Sequence, residues 1–141
     1  MPTDTKISQA LSKFVDCKYS IDNPNEGWDC LNFLISFFRD LGAIIPDEFE
    51  GWTLKNYGKR ALKDPDGAHK TFERFVQTLG TTVNDKFPKR GDLVLFSVKD
   101  TGIYAGVYLG NGHAFIIFNK GGRVIPFNIF KPFVYQIRRL V

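Results

Sequence analysis

The residues best placed to do chemistry are Asp29 and Cys30, in the segment Gly27-Trp28-Asp29-Cys30, where a strongly apolar run begins. Aspartate is a good helix N-cap, so Cys30 falls in the first turn of the helix that follows. There the positive end of the helix dipole and the unsatisfied N–H groups favour thiolate over thiol, which is how a cysteine nucleophile is prepared. The competing expectation is a small buried core residue, the commoner fate of a cysteine outside a disulfide. Cys17, beside Lys18, has no such placement and reads as structural. A nucleophilic thiol also needs a base within about 3 Å, and the chain has two histidines, His69 and His113. His69 precedes Glu73 by one helical turn, lies off the apolar stripe around it, and reads as solvent-facing. His113 follows Asn111-Gly112, a strong hairpin-turn pair, and reads as a hairpin-tip residue. Neither cysteine belongs to a CxxC pair and the histidines are far apart, so the sequence implies no zinc site and no cofactor.

The elements that must hold Cys30 divide by period. Ile7, Leu11, Phe14 and Val15 recur at helical spacing and predict a short helix over about 6–15. A polar segment with the turn Asn23-Pro24-Asn25 leads to the run from Cys30 to Leu41, closed by Gly42. Leu31, Leu34, Ile35, Phe38 and Leu41 form one stripe and Phe33 and Phe37 lie off it, so this helix is apolar on most sides and central. Residues 43–66, broken by Pro46 and Pro65, read as irregular. Ala68, Phe72, Phe75, Val76 and Leu79 repeat as a further helix, stopped by Gly80. From Lys89 the period becomes that of strands: 91–96, 103–109, 113–118, 123–127 and 133–139, with turns at Asn111-Gly112 and over 119–122. Helices followed by a five-stranded antiparallel meander make an α+β fold, here one domain over 1–141.

Composition narrows the class. The chain has 141 residues, 43% hydrophobic and 24% charged, which excludes disorder and fibrous structure. Its 14 Phe, 5 Tyr and 2 Trp predict one Phe-rich core. No apolar run approaches the roughly 18 residues of a membrane span. The N-terminus lacks the charged-then-apolar layout of a secretory signal, so synthesis and first folding in a cytoplasm are expected. Net charge is +4, but the basic residues are scattered, so they read as a solvated surface and a nucleic-acid partner is not expected.

The chain resembles the NlpC superfamily of papain-like cysteine peptidases, which cut peptide bonds in bacterial cell walls. The resemblance is carried by Asp29-Cys30 at the start of a central helix, by Gly91-Asp92-Leu93-Val94-Leu95-Phe96, and by Tyr104-Ala105-Gly106-Val107-Tyr108-Leu109-Gly110 followed by Asn111-Gly112. Tyr19 stands where the family often has a tyrosine ahead of the nucleophile. Order and spacing match over about residues 5–139. The resemblance implies a papain-like fold with Cys30 at the nucleophile position. It also implies that the general-base position is Tyr104, where the family has histidine, and that the third polar position is Ile116. Leu31 and Asn32 replace the small pair that usually follows the nucleophile. Tyrosine, with a reference pKa near 10, is a poor base at neutral pH, and isoleucine cannot orient an imidazole.

The reading that follows is a degenerate, non-catalytic member serving as a compact assembly module. Short relatives without a signal resemble components of phage tails. That suggests made-in-host-cytoplasm assembly into a virion at the tail tip or baseplate, with other tail proteins as partners and peptidoglycan as a possible contact. Trp28, Trp52, Phe127, Phe130 and Phe133 are candidate interface anchors, set against the simpler expectation that they fill the core. The alternative is a working cysteine endopeptidase or amidase on peptidoglycan peptides, with Cys30 as nucleophile and backbone N–H groups at the helix start stabilising the oxyanion.

Overall fold

A computed structural model describes residues 3–20, 29–84, 87–98, 102–118 and 121–141. In chain order the elements are helix α1 (Asp4–Ser12), helix α2 (Cys30–Asp40), strands β1 (Glu48–Phe49) and β2 (Trp52–Thr53), helices α3 (Leu54–Lys63) and α4 (Pro65–Gln77), strands β3 (Thr81–Val83), β4 (Leu93–Val98), β5 (Gly102–Gly110), β6 (His113–Phe118) and β7 (Gly121–Pro126), a short helix α5 (Phe127–Phe130), a 3-10 turn (Lys131–Phe133) and strand β8 (Val134–Arg139). The helices and one face of an antiparallel sheet enclose the main core. A smaller core lies on the sheet's other face, beneath α5 and the 3-10 turn. None of the helices described is long and apolar enough to cross a membrane.

The α+β class and the antiparallel pairing agree with the sequence reading, but the sheet is not a five-stranded meander. It has six strands in the order β3-β8-β4-β5-β6-β7. The chain runs β4 to β7 as a meander, then crosses the outer face through α5 and inserts β8 between β4 and β3. Buried Phe127 pins that crossover. β3 escapes pattern reading because Thr81, Thr82 and Val83 show no apolar alternation. Its place comes instead from β8. Arg138 is only 5% exposed, and its guanidinium donates to the carbonyls of Leu79 (2.6 Å), Gly80 (3.0 Å) and Gln77 (3.2 Å). Arg139 forks onto Asp92, with Nε and Nη2 each 2.8 Å from a carboxylate oxygen. Two of the basic residues that read as solvated surface are therefore internal fasteners, and Asp92 of the Gly-Asp strand motif is their acceptor.

Residues 43–66, which read as irregular, hold the β1–β2 hairpin and α3. The hairpin turn places Glu50 and Gly51 at positive φ, 51° and 83°. A capping box starts α3: Thr53 Oγ1 accepts from Asn56 N, and Asn56 Oδ1 accepts from Thr53 N. The helix was hard to read because only Gly58 and Ala61 of it are buried, so no apolar stripe marks it. The turn at Asn111-Gly112 is as expected, with φ of 52° and 76°, the left-handed pair of a tight hairpin. The next expected turn, over 119–122, lies partly outside the described residues.

α2 is the central helix. Phe33, Leu34, Phe37 and Phe38 are fully buried, so both the stripe and the residues off it are covered. Phe33 sits at the junction, its ring 4.8 Å from Phe14, 5.5 Å from Phe37 and 5.3 Å from Phe115 of β6. This packing fixes α2 against β5 and β6. Gly106 allows a close approach at that point of the sheet, since a Cβ there would stand 2.6 Å from the Phe115 carbonyl oxygen.

Candidate functional site

Asp29 caps α2 as its sequence position demands. Oδ1 accepts from Asn32 N at 2.7 Å and from Asn32 Nδ2 at 3.0 Å. Asn32, in place of the small residue the family resemblance leads one to expect, clamps the cap. The carboxylate is 2% exposed, and Oδ2 is buried without a hydrogen-bond partner among the described residues. Burial pushes the carboxyl up to about 6 against the opposing effect of the Asn32 and Leu31 donors.

Cys30 follows in the first turn and is partly exposed, with its side against the main core. The backbone N–H groups of Ala105, Cys30 and Leu31 bear on its sulfur and favour the thiolate. Burial, and next the charge of Asp29, outweigh them, and the thiol is pushed up to about 12. The helix terminus alone lowers a thiol pKa, so here the surroundings reverse the expected activation.

Around this pair stand tyrosines. Tyr19, 36% exposed, is pushed up to about 12 by the desolvation of its hydroxyl and then by Asp29, Cys30 and Tyr104. Tyr57 of α3 is pushed above its ordinary range by burial and then by Cys30, Asp29 and Tyr19. Tyr104, where the family resemblance would put a general base, is half-buried with its ring 5.5 Å from Phe118. Sequence reasoning missed Tyr57. It lies in a helix that carries no apolar stripe, and nothing in its local sequence points to the thiol 27 positions earlier.

Ile116 is fully buried in the outer core, paired in register with Gly106. His69 Nε2 lies 3.4 Å from Glu73 Oε1, one turn along α4. His113 is exposed, in register with Gly110 and Pro126 at the hairpin end of β6. No histidine contributes to the electrostatics of Cys30. Cys17 accepts the Gly122 N–H on its carbonyl at 3.0 Å, its thiol is pushed up by burial, and no disulfide joins it to Cys30. Of the candidate interface anchors, Phe127 is 4% exposed and belongs to the outer core, whereas Phe133 is 43% exposed. Trp28 lies outside the described residues.

Asp29 supplies a pH test. A carboxyl held near 6 when folded and near 3.8 when unfolded binds its proton more tightly in the native state. Its contribution to stability is therefore full below about pH 4 and is lost as the pH rises through 6. Asp29→Asn keeps the cap acceptor and removes this titration. Urea unfolding is expected to show Asp29→Asn gaining on wild type by about 1–3 kcal/mol between pH 4 and pH 7. An unchanged difference at the two pH values would show that the carboxyl is not held neutral by burial.

A cysteine in the first turn of a central helix, seated on a strand of an antiparallel sheet, defines a papain-like α+β domain. The match to the NlpC/P60 family profile covers residues 16–136, and the chain belongs to that family. Solved structures of the same fold include an NlpC/P60 family protein from Bacillus cereus, with TM-score 0.65 and 16% identity over 99% of this chain and 40% of that one. The NlpC/P60 domain of the peptidoglycan hydrolase SagA gives TM-score 0.60 and 19% identity, covering 97% of this chain and 98% of that one. The P60 domain of an antigen of M. avium paratuberculosis gives 0.57 and 12%, covering 97% of each. The chain thus spans about two fifths of the longer Bacillus protein and nearly all of the isolated domains. Comparison with curated proteins produced no match.

Proposed function

We propose that this chain is a non-hydrolytic NlpC/P60 domain that works by binding a peptide segment of another protein, as an assembly module. The observation that carries the reading is the Cys30 thiol, pushed up to about 12 with tyrosines and no histidine around it. Burial and the neighbouring Asp29 charge both favour the neutral thiol at pH 7, and Tyr104 is no base to remove its proton. The setting suggested by the resemblance of short family members is a phage tail, at its tip or baseplate, with tail proteins as partners. The whole chain from 1 to 141 serves as one domain in this reading.

One observation favours the alternative of a cysteine peptidase acting on cell-wall peptides, as SagA is named a peptidoglycan hydrolase. The backbone donors at Cys30 are retained, and they could serve an oxyanion. The deciding experiment is release of soluble fragments from purified cell walls by wild type, Cys30→Ala and Tyr104→Phe. No release by any of the three is expected. Release by wild type and Tyr104→Phe that disappears in Cys30→Ala would overturn the proposal.

A further inference from the structure

Basic residues that are scattered along the chain are gathered by helix α3. Leu54–Lys63 contains Lys55, Lys59, Arg60 and Lys63 and no acidic residue. Of the 19 lysines and arginines four lie in this helix, and the 15 that remain match the 15 aspartates and glutamates, so the net charge of +4 is the charge of α3. Lys55, Lys59 and Lys63 succeed one another at four-residue steps, on one face and about 6 Å apart along the axis. All three are exposed, while Gly58 and Ala61 turn the opposite face inward. None of the ion pairs between described residues takes up any of the three lysines. Arg60 stands apart from them: its guanidinium lies 3.9 Å from the centre of the Trp52 ring and donates to the Gly51 carbonyl at 2.9 Å. Leu62, 63% exposed, lies one turn from Lys59 on the lysine side.

The stripe does little for the helix that carries it. Like charges four residues apart disfavour a helix, and Lys55 in the first turn opposes the helix dipole. Only Lys63, in the last turn, is favourably placed. The capping box and the buried side hold α3, so the lysine face is free to serve a partner. Carboxylates laid along it would relieve the lysine repulsion. The stripe is narrow, about 12 Å from Lys55 to Lys63, and the chain continues into Asp64 and Asp66, both exposed. A flat anionic surface would meet those acids too, whereas a single peptide chain can follow the lysines alone. A phosphate backbone would strip water from Leu62 without covering it, whereas a peptide can lay an apolar side chain there.

From this geometry we infer that the outer face of α3 docks an acidic helical segment of a partner protein, with carboxylates at helical spacing against Lys55, Lys59 and Lys63 and one apolar side chain over Leu62. The inference rests on the reading of the chain as an assembly module and names the chemistry of the partner. It uses no part of the Cys30 centre. In such an interface Leu62 is the apolar anchor, and the lysines form the charged rim that sets orientation and speeds encounter.

The test is fluorescence anisotropy of a labelled alanine-based peptide of about 16 residues, long enough to form a helix, titrated with the full chain at low salt. The peptide carries glutamate at every fourth position and one leucine beside that row. Saturable binding is expected, and glutamine in place of glutamate is expected to abolish it. Lys59→Glu is expected to weaken binding at least about tenfold and Leu62→Ser about fivefold. Lys59→Gln, expected to weaken it about threefold, serves should the charge reversal not fold. Lys131→Gln, exposed in the 3-10 turn on the outer side of the sheet, is expected to leave binding unchanged. No saturable binding, equal binding of the glutamine peptide, or an equal loss in Lys131→Gln would overturn the inference. So would a short DNA duplex, or vesicles of phosphatidylcholine and phosphatidylglycerol, binding through Lys59 more tightly than the peptide. A dimer by light scattering that Lys59→Glu dissociates would give the face to a second copy and overturn it as well. Cell-wall hydrolysis together with the expected titration would sink the non-hydrolytic reading alone and leave the α3 surface standing. Inert walls with no titration would sink the α3 surface alone.

Discussion

In a Cys17→Ser background at pH 8, iodoacetamide is expected to alkylate Cys30 about 50-fold more slowly than an unperturbed thiol, with a rate that climbs through pH 10 without a plateau. The magnitude comes from two opposing effects. Raising the pKa from about 8.5 to about 12 lowers the thiolate fraction at pH 8 by roughly three orders of magnitude. A more basic thiolate is also a better nucleophile, and a Brønsted slope of about 0.4–0.5 returns between one and two of those orders. The burial that raises the pKa also limits access to the sulfur, so basicity is read from the pH dependence of the rate and not from its absolute value. Asp29→Asn removes the second cause of the upward shift and is expected to speed the reaction while leaving it slower than the unperturbed thiol, because burial is the larger cause. A plateau near neutral pH would mean a prepared thiolate, and the non-hydrolytic reading would fall.

The other large effect is expected in the core. Phe33→Ala removes a fully buried ring that touches Phe14, Phe37 and Phe115. It is expected to destabilise the domain by about 3–5 kcal/mol, lowering the melting temperature by roughly 10–15 °C. Calorimetry or denaturant unfolding measures this directly. A loss under about 1 kcal/mol would mean that α2 is not held by this junction. The position matters beyond stability. Phe33 lies one turn from Cys30 and joins α2 to β6, so the same contact that supports the core places the thiol against Ala105. The Cys30 amide resonances are therefore expected to move in Phe33→Ala even where the variant stays folded.

Much of the site was open to local reading. The cap-then-cysteine order of Asp29 and Cys30 and the burial of a helix apolar on most sides follow from residue types at helical spacing. The hairpin at Asn111-Gly112 and the two histidines away from the thiol follow from short-range rules in the same way. The edges of the fold were not open to it. α3 carries a polar sequence over nearly every position, β3 is three residues with no alternation, and β8 pairs far from its neighbours in the chain. Each forms because something distant completes it: Arg138 ties β8 to the end of α4, Arg139 meets Asp92, and the capping box of α3 depends on a hairpin that precedes it.

The sequence by itself determined that a cysteine would open a central helix and that a tyrosine would stand where the family resemblance places a base. What only the tertiary structure decided is the state of that cysteine. The helix terminus and the Ala105 N–H favour the thiolate, while burial against the core and the neighbouring Asp29 carboxylate disfavour it more strongly. Charge stabilisation by a helix end is a local property that residue order encodes. Desolvation depends on which distant side chains close over the sulfur, and that is set by packing.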